Sequence, residues 1–372
     1  ELRFTRSLRI ASAVLQALYR FVAMALVVYA MATMFQVILG ISLWRGIWVA
    51  MGLTLVYVFT SGQLGVVMAA IPQVLLMLAT AIVIFVSATL EVGGWGSLPA
   101  EKPGSADRLL HLAGHVDEGI PGGVYLWGMI LTLVAYPIVN QTVAQRIVSA
   151  RSEADARKGT IASLLPWCII TGASVMVGVM AVAVLPDVIR GNPDHVFPEL
   201  MMRYLPPGFL GLGVAALVVA SMSTGAGIGT AVAGLIVVDV AGSFRHGRLR
   251  DEHRLLITRL FATLSIVVGT LFAMAIPWFK SMIDFYVALT GTFFLPLVVP
   301  YVGGALYPKA SRGSGIAALA GGIGAGSVLF LGNELEWLPV LMSHPQWRPF
   351  WVLAFTSIVF VLWSVLENRR RG

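Results

Sequence analysis

Long stretches without Asp, Glu, Lys, Arg or His dominate the chain, and charged positions gather between them. Nine such stretches stand out, at 21–44, 46–90, 119–145, 159–186, 204–238, 260–279, 285–308, 313–333 and 349–366. A helix needs roughly 20 apolar residues to cross a bilayer. The run 46–90 is therefore two spans, with Ser61 and Gly62 marking the turn. The pattern predicts ten transmembrane helices, roughly 12–39, 46–61, 64–89, 121–140, 160–185, 208–240, 257–278, 283–307, 313–331 and 349–366. Only helices or closed barrels satisfy every backbone group in lipid, and continuous apolar runs exclude the alternating barrel pattern. Residues 1–372 thus read as one all-α transmembrane domain, with no soluble domain and no short-period repeat.

Composition agrees with the pattern. The chain is 58% hydrophobic and 12% charged, against about 45–50% and about 25% for soluble domains. Several soluble domains are excluded, because too few charges exist to cover them, and disorder is excluded because the chain is too apolar. The 39 glycines fit a membrane protein, where glycine lets helices approach closely. Cys168 is the single cysteine, so no internal disulfide can form. The chain opens on Glu1 rather than Met and shows no signal peptide, and it reads as a fragment missing its true start.

The net charge of +7 could suggest nucleic acid, but its placement decides otherwise. With the N-terminus in the cytoplasm, seventeen basic residues fall on inner segments, Arg3 to Arg9, Arg146 to Lys158, Arg245 to Arg259, Lys309, Arg312 and Arg369 to Arg371. Seven fall outside: Arg45, Lys102, Arg108, Arg190, Arg203, Lys280 and Arg348. That asymmetry places both termini in the cytoplasm of a multi-pass plasma or inner-membrane protein. No nucleic-acid partner is needed; the lipid bilayer is the partner. Arg20 reads as snorkelling from the first helix toward the inner surface.

Candidate chemistry sits where the spans break. The fourth reads VYLWGMILTLVAYPIVNQTVAQR. Pro137 frees a carbonyl within the helix, and Asn140 and Gln141 follow at an inner helix break. Freed carbonyls beside amides at membrane depth can build ion and solute sites; a plain proline kink is the bland alternative. In the sixth span Ser223 and Thr224 lie near the middle, with Ala220 three and four residues earlier on the same face. Two hydroxyls and a carbonyl offer hard oxygens to a small cation; alternatively each hydroxyl bonds its own helix. The glycines of GAGIG (225–229) and GGIGAG (321–326) lie in apolar helices with no preceding strand, which favours close helix packing over a phosphate loop. His111 and His115, four apart near Asp117 and Glu118, lack a third metal ligand at firm spacing. Asp284 starts the eighth span four residues after Lys280, either as its ion partner or as a polar group at a solute pathway. Asp239, at the unfavourable end of the sixth helix, calls for a cation among Arg245, Arg248 and Arg259. No nucleophile–base pair is visible, so an enzyme is not expected.

Together these pieces resemble the sodium:solute symporter family of sodium–sugar, sodium–proline and sodium–pantothenate carriers. Three stretches carry the resemblance: LRFTRSLRIASAV at the start, NQTVAQRIVSARSEADARKG, and FPELMMRYLPPGFLGLGVAALVVASMST followed by VVDV. It covers nearly the whole chain in order. It implies a LeuT-type fold of five-plus-five inverted repeats, here beginning at the third core helix, with the last two helices peripheral. It also implies a sodium site in which Ala220 gives its carbonyl and Ser223 and Thr224 their hydroxyls, the first core helix's ligands being absent from this sequence. Tyr136 falls at an inner-gate tyrosine of the family's sugar carriers. Leu133, Trp167 and Asp284 fall where those carriers bind sugar through an asparagine, a lysine and an amide. These departures argue against a sugar. Ala70 precedes Gln73 where the family often has an aspartate linked to sodium passage. The resemblance implies sodium-coupled symport of a small organic solute by alternating access, with sodium as coupling ion and no other cofactor. The solute wall would draw on Tyr136, Pro137, Trp167 and Asp284. Proton-coupled or sodium-independent transport is the main alternative, and a transporter-like sensor module a remote one.

Overall fold

The computed structural model describes residues 3–60, 63–94, 130–131, 138–242, 251–279, 281–335, 337–339, 342 and 347–371. Among the described residues every regular element is helical. Eight of the described helices are long and apolar enough to cross a membrane.

Helix α1 (Arg6–Leu39) starts where Thr5 accepts a hydrogen bond from the Leu8 N–H. It stops at Gly40, whose φ of 68° suits the left-handed turn there and costs glycine little. Helix α2 (Leu43–Thr60) turns back along it, and α3 (Gln63–Val92) follows with Pro72 inside. The expected fourth span, 121–140, lies almost wholly outside the described residues; its end, at Asn140, caps the short α4 (Gln141–Val148). Helix α5 (Glu153–Val184) begins seven residues before the expected 160, because Ser152 caps it and Glu153 and Asp155 suit its positive end. A connector of α6 (Pro186–Gly191), a 3₁₀ turn (Pro193–His195) and α7 (Val196–Tyr204) leads to α8 (Pro207–Gly234). Pro206 and Pro207 do start α8, as their backbone restraint favours.

Helix α8 widens into a π segment, Leu235–Ala241. Helix α9 (Asp251–Ala273) returns across the layer. The expected span 283–307 is one path in pieces: α10 (Met282–Leu289), a π turn (Thr290–Phe294), a 3₁₀ turn (Leu295–Leu297) and α11 (Val298–Leu306). A π turn and Pro296 interrupt the ordinary ladder there. Helices α12 (Ser314–Glu334) and α13 (Arg348–Arg371) form a closing hairpin.

The core lies where α1 meets α2, α8 and α9, around Met24, Met31, Ile47 and Ile266. Small residues set the spacing. A Cβ on Gly229 would sit 3.1 Å from Ala262 Cβ, and one on Gly225 2.8 Å from Thr54 Cγ2. The GAGIG glycines therefore serve close packing of α8 on α9 and α2. Far from the core, Arg203 of α7 pairs with Glu91 at the end of α3, and Tyr204 donates to the same carboxylate at 2.9 Å. Burial first, and then that bond, pushes the Tyr204 phenol up to about 12.

Candidate functional site

The middle of α8 faces a cavity of about 370 Å³. Ala220, Ser221 and Thr224 form its α8 wall, Val27 and Ala30 its α1 wall, and Met282, Ile283 and Tyr286 its α10 wall. A smaller cavity of about 220 Å³ shares Ala30, Leu217, Ser221 and Met282 with it and extends to Asp194. The Asp194 carboxylate accepts the Met282 N–H at 3.1 Å, which fixes the start of α10.

Ser223 turns away from this cavity. Its hydroxyl is buried, lies 3.0 Å from the Ala220 carbonyl and 3.2 Å from Gln73 Oε1 on α3. Helical geometry rotates neighbours by about 100°, so Ser223 and Thr224 cannot share one direction. Ala220 joins them: its carbonyl bonds Ser223 and its residue lines the cavity with Thr224. Carbonyl and hydroxyl oxygens this close form an oxygen set that a hard cation can bridge by displacing the hydrogen bond.

Asn140 and Gln141 mark a helix break, as their position after Pro137 suggests. Asn140 has extended backbone, and its Oδ1 accepts from the Thr142 N–H at 3.0 Å and the Val143 N–H at 3.3 Å. It also accepts from Arg20 Nη2. Arg20 was expected to snorkel; instead it is 3% exposed. It lies fourteen residues into α1, roughly 21 Å at about 1.5 Å per residue, which is too deep for its head to reach the end of the helix. Depth counted from the helix start was the signal that could have found it. A buried guanidinium inside a membrane helix marks function by default. Beside it, Tyr19 stacks on Phe294 at 4.0 Å between centroids, and its hydroxyl lies 2.7 Å from that of Tyr286. Tyr286 in turn lines the α8 cavity. Two adjacent residues of α1 thus reach, respectively, the break at Asn140 and a residue that lines that cavity.

A third cavity, of about 330 Å³, opens near the start of α1 among Arg9, Ser12, Gln16, Gln141, Asp239 and Tyr301. Gln16 Nε2 donates to the Tyr301 hydroxyl at 2.9 Å. Asp239 pairs with Arg9 at 3.1 Å. The expected partners were Arg245, Arg248 or Arg259; the partner among the described residues is Arg9, on α1. Arg245 and Arg248 lie outside the described residues.

The expected solute wall is brought together only in part. Tyr136, Pro137 and Leu133 lie outside the described residues, as do His111, His115 and Lys280. Asp284 sits on α10 between the cavity-lining Ile283 and Tyr286, and its side chain lies outside the described set. Trp167, on α5, is 53% exposed and lines none of these three cavities. Among the described residues no three His, Cys, Asp or Glu side chains gather as a metal site.

Similar proteins share both sequence and fold. The sodium/mannose cotransporter SLC5A10 of Bos taurus is 22% identical over 367 residues, covering 88% of this chain and 60% of its own length. The sodium/myo-inositol cotransporter of Homo sapiens is 23% identical, covering 68% of this chain and 40% of its own length. The sodium-coupled monocarboxylate transporter 2 of Mus musculus is 24% identical, covering 92% and 58%. The chain therefore spans about 60% or less of these relatives. A solved structure of a Na⁺-coupled sialic acid symporter, in a substrate-bound outward-open state, superposes with a TM-score of 0.71 at 16% identity. That match covers 98% of this chain and 76% of that one, and it shows a shared all-α symporter fold. The model of the sodium:solute symporter family matches residues 1–324, and the chain belongs to that family.

Proposed function

We propose that this chain is the transporting part of a sodium-coupled symporter that moves a small organic solute by alternating access. The observation that carries this reading is the meeting of Ala220 and Thr224 on one cavity, with Ser223 bonded to the same carbonyl. Sodium would take the Ala220 carbonyl and the Ser223 and Thr224 hydroxyls, breaking the Ser223 bond as it binds. The solute would lie against α1 and α10, with Tyr136, Pro137 and Asp284 completing its wall; Trp167, exposed on α5, would stand outside it. The broken helix at Asn140 supplies the rearranging element, since a half-helix can swing where a continuous one cannot. The protein sits in the plasma or inner membrane with both ends of this chain in the cytoplasm, and it performs no catalysis. Relatives carry mannose, myo-inositol or monocarboxylates by name. The apolar and acidic residues at the three mapped sugar contacts favour a solute other than a sugar.

One observation favours a second reading, transport by the same fold without sodium. Ser223 already has two oxygen neighbours, Ala220 O and Gln73 Oε1, and Gln73 brings no negative charge. Solute uptake into proteoliposomes, with an inward sodium gradient or with choline in its place, separates the two. Sodium coupling predicts accumulation only with the gradient; equal uptake in choline would leave the second reading standing.

A further inference from the structure

The start of α13 holds a group that the transport reading does not use. Arg348 opens that helix and is 2% exposed. Its guanidinium lies 5.2 Å from the centroid of the Phe330 ring on α12, and its Cδ packs beside Gly291 in the π turn between α10 and α11. Its Nε and Nη1 are buried and meet no acceptor among the described residues. The indole Nε1 of the preceding residue, Trp347, is a third buried donor with none. Glu334, at the end of α12, is near enough for its charge to be felt, yet it accepts from neither nitrogen.

This arrangement is one-sided. Buried polar groups are nearly always bonded, and a buried charge with unmade bonds is expensive. Every orphan atom here is a donor, so the complement is an acceptor. The charge is positive and sits at the positive end of a 24-residue helix, so the acceptor should be negative. A cation would be repelled, and a water would add no negative charge to that of Glu334, which bonds neither nitrogen. Trp347 and Trp351 stand 6.5 Å apart at this end, a level typical of the lipid headgroups.

We propose that Arg348, with Trp347, forms an anion-binding site that holds a compact anion, chloride or the phosphate of a lipid headgroup, where α13 meets the π turn. The anion ties the closing hairpin to the helix path whose other part, at Tyr286, lines the α8 cavity.

The test is thermal unfolding of the detergent-purified, delipidated protein at constant sodium, with bulky gluconate as the starting anion. Chloride or a short-chain phosphatidic acid is then titrated in. The expected result is a saturable rise in Tm of about 2–4 °C with at least one of them. A rise with chloride identifies a soluble ion, and a rise with the lipid alone identifies a headgroup. R348Q should abolish the rise. If R348Q does not fold, W347F removes one donor and should raise the half-saturating concentration roughly 3- to 10-fold. No rise with either anion, or an unchanged titration in the variants, overturns the proposal.

Discussion

Helices α1 and α13 are both long and apolar, yet they use their polar side chains in opposite ways. On α1, polar groups reach other elements: Arg9 to Asp239, Gln16 to Tyr301, Tyr19 to Tyr286 and Arg20 to Asn140. In the middle of α13 they stay at home. Thr356 donates to the Val352 carbonyl of its own turn. Towards its two ends α13 reaches other elements: Arg348 lies over the Phe330 ring at the start, and further on Ser364 accepts from Ser311, Glu367 accepts from Gly313 and Asn368 donates to Lys309. A hydroxyl bonded to its own turn travels with its helix and constrains nothing else. A bond across helices must break or re-form when those helices move. Under the proposed alternating access, the contrast would place the moving parts among the neighbours of α1 and the middle of the hairpin on a passive flank.

The contrast breaks most readily at Arg20. Arg20→Gln removes a charged donor from a buried acceptor, a loss of roughly 1.5–3 kcal/mol. Solute uptake per molecule of reconstituted protein should fall about 10- to 100-fold; uptake within twofold of the native rate would mean the bond is incidental. Asn140→Ala is the next largest. It removes the α4 cap, about 1 kcal/mol, together with the Arg20 acceptor. A 5- to 30-fold fall in uptake is expected, with the larger part in turnover rate, because the half-helix loses its fixed start. The smallest effect belongs to the flank. Thr356→Val keeps shape and loses only the bond within its own helix, so both uptake and Tm should stay within about twofold and about 2 °C. A large loss at Thr356 would erase the distinction between the two helices.

Much of this was legible in the residue pattern, and the remainder shares one cause. Among the described residues the apolar runs overlap the long helices, Pro206 and Pro207 stand at the start of α8, and Asn140 caps a new helix, because each is a local property of the chain. Helix ends moved outward, as at Arg6 and Glu153, because charged residues are tolerated on the first turn and a search for uncharged runs truncates there. Partners across helices were not legible. Asp239 finds Arg9 at a separation of 230 residues, and nothing near either residue announces the other. The back-bond of Ser223 was foreseen as one alternative, but its approach to Gln73 depends on how α3 packs against α8. The π segment of α8, which carries Asp239, has no plain signature in composition.

The central claim is that the middle of α8 holds the coupling ion. Its most direct measurement is the sodium concentration for half-maximal solute uptake in the protein carrying Ser223→Ala and Thr224→Ala together. Each substitution removes one oxygen and little volume, so the helix should pack as before. A loss of about 1.4 kcal/mol in ion binding corresponds to a tenfold change. The account predicts a rise of about tenfold or more in that concentration, with the solute still bound. An unchanged sodium dependence in the double variant would remove these oxygens from the site and contradict the account.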